Sequence, residues 1–152
     1  MRKLKVNLVA LCGIALCGLL LAGSATPTDA QTPGNHPAYL RAIRDLRQAR
    51  SLLQHNFTQP KHVQAASAAV RWIDEAIGDL KNASKVDEKS LGDVPGPKTM
   101  PDDDGRFHAV ASLLKSARED ASFTESDPVA LPYKDRALKH IENAEGAIAP
   151  VL

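Results

Sequence analysis

Cysteine is almost missing from this chain. Two occur in 152 residues, Cys12 and Cys17, and both sit in an apolar N-terminal run. If that run is removed, no thiol is left. That excludes disulfides, a thiolate nucleophile, Cys-ligated zinc or iron–sulfur centres, and a C-x-x-C-H haem attachment. Aromatic residues are also scarce, at 4%, so any core must be aliphatic. Neither charge sign dominates. Residues 1–30 hold three of the 19 basic and one of the 18 acidic residues, so 16 and 17 remain and the net charge beyond residue 30 is about −1. A nucleic-acid partner gains no global electrostatic support from such a balance. There is no Gly-rich phosphate loop, no G-x-S-x-G elbow, and no Ser/His/Asp set in a recognisable context. Asp102-Asp103-Asp104-Gly105 lacks the alternating acidic spacing and closing Glu of a calcium loop. It reads as linker and helix cap.

What is present begins with an export signature. Arg2, Lys3 and Lys5 precede an apolar run from Val6 to Ala22, and Thr28-Asp29-Ala30 offers a cleavage site before Gln31. The expectation is a signal peptide over 1–30, a short leader over 31–35, and a periplasmic or secreted remainder with no membrane attachment after cleavage. An uncleaved anchor is the alternative, although the run is short for a span. Lipidation is a further alternative, disfavoured by Leu11 and Leu16, which stand where a lipobox needs a small residue.

Beyond residue 36 the pattern is helical. Tyr39, Ala42, Leu46, Ala49 and Leu53 alternate at steps of three and four, and Val63, Ala66, Val70, Ile73, Ile77 and Leu80 do so again. Pro37 and Pro60 suit first helical turns. Residues 85–104 change character: prolines, glycines and aspartates make a linker, with Asp104 expected to cap the next helix. Phe107, Val110, Leu114, Ala117 and Ala121 form a third stripe. Leu131, Leu138, Ile141, Ala144 and Ile148 form a thinner fourth. No stretch alternates as a strand.

The two halves match at an offset of 68 residues. Leu46, Ala49, Arg50, Pro60, Ala69, Ile73, Ala76 and Gly78 return as Leu114, Ala117, Arg118, Pro128, Ala137, Ile141, Ala144 and Gly146 with no gap. The fold class expected is all-α: an antiparallel four-helix bundle over 36–152, made of two duplicated helical hairpins, 36–84 and 105–150, running up-down-up-down.

That order would gather His36, Tyr39, His108, Asp79 and Glu145 at one end. Glu145 occupies a slot that is Ile77 in the first repeat, and a carboxylate there needs a partner; His108 is the expected one. His36, His108 and Glu145, with Asp104 or Asp79, have the chemistry of a zinc or copper site. The alternative is a His–Glu hydrogen bond at a solvated end. His55 and His62 flank the first turn and read as exposed. Arg50 and Asp74 match Arg118 and Glu142, and are expected to form repeated ion pairs that fix hairpin register, or a face for an acidic ligand. Trp72 matches His140 at the core margin.

The stretch His36-Pro37-Ala38-Tyr39-Leu40-Arg41-Ala42-Ile43-Arg44-Asp45-Leu46-Arg47-Gln48-Ala49-Arg50 resembles the H-P-x-Y-L-x-A-x-x-D-L-R-x-A-R opening of a group of small exported bacterial helical proteins. Ile73-Asp74-Glu75-Ala76-Ile77 and Arg106-Phe107-His108 continue the likeness. The resemblance implies export and a helical fold, and no activity. The hairpins are more loosely similar to small periplasmic metal-binding proteins, from which five histidines without a dense pattern depart. The expectation is a non-enzymatic exported bundle that binds an unknown protein or small ligand and needs no cofactor. Its alternative is a divalent-metal binder, with zinc or copper at the His36, His108 and Glu145 end.

Overall fold

The computed structural model describes residues 37–85, 91–92 and 99–152. The expected signal peptide, the leader and His36 lie outside that set. Four helices account for most of it: α1 (Pro37–Leu53), α2 (Pro60–Ser84), α3 (Asp103–Ala121) and α4 (Leu131–Ile148), the last running into a 3-10 turn over Ala149–Val151. Among the described residues there is no strand, and no helix is long and apolar enough to cross a membrane.

Local chemistry sets the bounds of α2 and the start of α3. Pro60 opens α2, where its missing N–H costs nothing. Lys85 closes α2 in the left-handed region, at φ 53°. The cap of α3 is Asp102, two residues earlier than expected, and its carboxylate accepts the Gly105 N–H at 2.9 Å. Glycine at 105 leaves room for that carboxylate. A Cβ at that position would stand 2.6 Å from Asp102 Oδ1.

Polar contacts between helices give the topology. Arg41 near the start of α1 grips Asp120 near the end of α3, with Nη2 to Oδ1 at 2.8 Å, and Ser116 donates to Asp45 at 2.6 Å. Arg50 of α1 donates to Asp74 of α2 at 2.8 Å. Arg136 of α4 donates to Asp79 of α2 at 2.7 Å. Around the bundle the order is therefore α1, α2, α4, α3, and every neighbouring pair is antiparallel. Along the chain the directions are up, down, down, up.

The expected up-down-up-down order is thus not the one adopted. The middle connection explains why. A two- or three-residue loop forces the next helix to turn back beside the last. The residues between α2 and α3 are numerous enough to return along the whole length of α2, about 37 Å for its 25 residues. Lys85 leaves α2 3.9 Å from Asp127. Arg47, midway along α1, donates to the Gly92 carbonyl at 2.8 Å. The connection reaches the flank of α1 on its way to the start of α3.

The core is aliphatic and slim. Its large members include Ile43, Leu46, Ile73, Leu80, Leu114 and Ile141, all fully buried with Tyr39 and Phe107. Alanines 42, 49, 69, 76, 117, 137 and 144 fill much of the remainder. Small side chains let backbones approach closely, and the most extensive packing is α2 on α4 and α1 on α3.

One stripe shifts from its expected place. In the first half of α2, the buried positions are His62, Ala65, Ala66 and Ala69. Val63 stands 46% exposed and Val70 is half-buried. The helix turns its small residues inward where it meets α4, and its valines outward beside the end of α1.

Candidate functional site

One end of the bundle carries the α1–α2 turn, the start of α3 and the end of α4. His62 is fully buried there, contrary to the exposed turn histidine expected. Its Nδ1 lies 3.4 Å from Asp103 Oδ2, and its ring leans on Phe107 at 5.2 Å between centroids. Asp103 is the hub. It accepts the Thr58 N–H at 3.1 Å, the Thr58 hydroxyl at 2.8 Å, and the Arg106 guanidinium. The Thr58 donors, followed by Arg106 and His62, hold its carboxyl well below the usual carboxylate range. Arg106, itself buried, also donates to the Asn56 carbonyl at 2.9 Å and covers the Phe57 ring at 3.9 Å. Phe57 stacks on Phe107. The sequence signal for this knot was the acidic run at 102–104 beside a histidine in the first turn of α2. Its pairing required knowing that α2 and α3 start at the same end.

Next to this knot an open groove of about 460 Å³ runs between the end of α1 and the first half of α2. Leu53, Phe57, Val63 and Val70 supply its apolar wall, and Gln54, His55, Asn56 and Ser67 its polar edge. No Asp, Glu, Lys or Arg lines it. The polar side chains of that edge make no hydrogen bond to another described residue.

Along the α2–α4 seam, Trp72 stacks on His140, with ring centroids 5.5 Å apart. Arg71 covers the other partner's ring, Trp72, at 4.5 Å. His140 Nε2 lies 3.5 Å from Asp79 Oδ2, whose other oxygen takes Arg136. Asp79 is thus tied within the seam. At the opposite end, Tyr39 OH donates to Glu125 at 2.8 Å. Burial, then the Glu125 carboxylate, pushes the Tyr39 phenol well above its ordinary range. The phenol stays a proton donor at all ordinary pH.

The residues singled out from sequence are distributed by this topology. His36 lies outside the described residues, and α1, which follows it, begins at the end opposite the start of α3. His108 is exposed on α3. Glu145 pairs with Arg118, Nε to Oε1 at 3.5 Å. The expected His108 partner is replaced because the α3–α4 register brings Glu145 level with Arg118, ten residues and about 15 Å further along α3. Arg50 meets Asp74 as expected. The matching pair does not repeat: Glu142 takes Lys139 at 2.7 Å instead. Among the described residues, no three His, Cys, Asp or Glu side chains converge as a metal site. The arginines of α1 largely serve cohesion, with Arg41 on α3, Arg47 on the connection and Arg50 on α2. Comparison of the chain with protein-family models, with curated proteins and with solved structures gives no match.

Proposed function

We propose that the protein is an exported, non-enzymatic helical bundle that acts by binding, with the groove beside the α1–α2 turn as its site. One observation carries the reading. Val63 stays at the surface and Val70 half-buried there, beside hydrogen-bonding side chains that bond to no other described residue. A shaped concavity with a few uncommitted polar groups is what a ligand site offers. Elsewhere several acids and bases tie one helix to the next, as Arg41–Asp120, Arg50–Asp74, Arg136–Asp79 and Arg118–Glu145 do. Export rests on the basic start, apolar run and small-residue site of residues 1–30. The likeness of residues 36–50 to small exported helical proteins agrees with it.

Thermal melts of the purified protein against metals, sugars, amino acids, nucleotides and amphiphiles test the binding reading. At least one class is expected to raise the melting temperature, and to shift backbone NMR signals of residues 53–70. Stabilisation by no class, or shifts confined to other residues, would overturn it.

The bundle is also proposed to descend from a duplicated hairpin. The antiparallel register of α1 on α3 centres at Leu46–Arg47 and Leu114–Lys115, which match at the offset of 68. Trp72 stacks on its own match, His140. A two-fold axis through both crossings would exchange the hairpins, as equal halves require.

A second reading, divalent-metal binding, draws on one feature. His62 Nε2 is buried without a hydrogen-bond partner, and Asp104 Oδ1 lies 3.9 Å from it, at the end where α3 also presents His108. Calorimetry with Zn²⁺ decides it. A stoichiometric site lost in Asp104→Asn supports the reading, and absence of heat removes it.

A further inference from the structure

We propose that the groove takes a small, uncharged, largely apolar molecule, which it holds by its hydrocarbon or aromatic body and orients by neutral hydrogen bonds. The inference rests on the binding reading above and adds the chemical class. Charge is the first argument. Charged residues make up 24% of the chain, yet none lines this groove. An ionic ligand would lose hydration on entering and find no counter-charge. Shape is the second. A groove of about 460 Å³ is of the size that takes small organic molecules.

Chemistry is the third argument. Val63, at 46% exposure, presents its side chain beside Leu53, Phe57 and Val70. Covering that surface releases water from apolar area. Phe57 is held by Phe107, which stacks on it, and by the Arg106 guanidinium over its ring, so the ring is a fixed wall. Gln54, Asn56 and Ser67 offer amide and hydroxyl groups at the edge, suited to carbonyl, hydroxyl or amide functions on the ligand. His55 adds one ring nitrogen of either role.

The test uses a matched pair of fluorescent probes. N-phenylnaphthylamine is neutral; anilinonaphthalene sulfonate has the same rings with a fixed negative charge. The neutral probe is expected to bind the purified protein saturably at one site, and the sulfonate at least tenfold more weakly. Val63→Asp, at an exposed position, is expected to weaken the neutral probe tenfold or more while the thermal melt stays in place. Val129→Asp, at a 61% exposed position on the α3–α4 connection, is expected to leave it unchanged. No saturable binding, equal affinity for the two probes, or equal effects of the two variants would overturn the proposal. If the probes fail while the melts reveal a charged ligand acting at residues 53–70, the chemical class falls and the binding site stands.

Discussion

At the scale of single residues, the molecule concentrates its consequences in a few buried groups. Phe107 is fully buried and touches both Phe57 and His62. Phe107→Ala should cost about 3–5 kcal/mol, read from urea unfolding, because the ring supports the α1–α2 turn as well as the core. A loss under about 1 kcal/mol would mean the turn does not lean on it. Asp103 contributes acid sensitivity. Its carboxyl is depressed in the folded state, first by the Thr58 N–H and hydroxyl and then by Arg106 and His62. A depressed carboxyl stabilises fully above its unfolded value, about pH 3.9, and that stabilisation drains away as pH falls below it. Asp103→Asn should therefore lower the melting temperature at pH 7 and flatten its decline below pH 4. An unchanged acid slope would show that Asp103 is not the group being titrated. The sequence displayed Asp103 only as one of three aspartates. Nothing local distinguishes it from Asp104, whose side chain is 74% exposed.

Element boundaries follow from caps and from the room around them. Asp102 and Gly105 are coupled, since a Cβ at position 105 would displace the capping carboxylate. Glycine gives up about 1 kcal/mol of helix propensity relative to alanine, and the cap returns a similar amount. Gly105→Ala should thus leave stability nearly unchanged in the natural chain but raise it by about 1 kcal/mol in an Asp102→Ala background. A double-mutant cycle reads the coupling, and additive effects would separate the two residues. The same scale explains the groove. Val63 and Val70 belong to the apolar stripe of α2 by spacing, and the helix is amphipathic as expected. Which part of that stripe faces inward was decided by α4, whose close approach suits Ala65 and Ala69 better than valine. Ion pairs such as Arg41–Asp120 are exposed on the arginine side, 55% for that residue, and set register more than they add stability.

For the whole molecule, the defining feature is the return of the chain between α2 and α3. It places two helix starts side by side and separates the start of α1 from the start of α3. Spin labels at positions 61 and 104 should lie close together, and labels at 61 and 122 should lie much farther apart, because 122 is displaced along the bundle by about 28 Å, the length of the 19-residue α3. The reverse ordering of those distances would restore an up-down-up-down bundle. This topology also bears on the proposed metal end. α1 starts at one end and His108 stands near the other, so the bundle does not bring the start of α1 to His108.

The sequence by itself determined the four helices and most of their buried stripes. Those features depend on spacing within one helix, where the chain has few alternatives. Tertiary structure decided the order of the helices, the burial of His62, the partner of Glu145 and the exposure of Val63. Each depends on which surfaces meet across a connection long enough to permit either direction. Backbone propensity is silent about that choice. It is settled by how closely alanine-lined faces approach and by where buried polar groups find donors and acceptors.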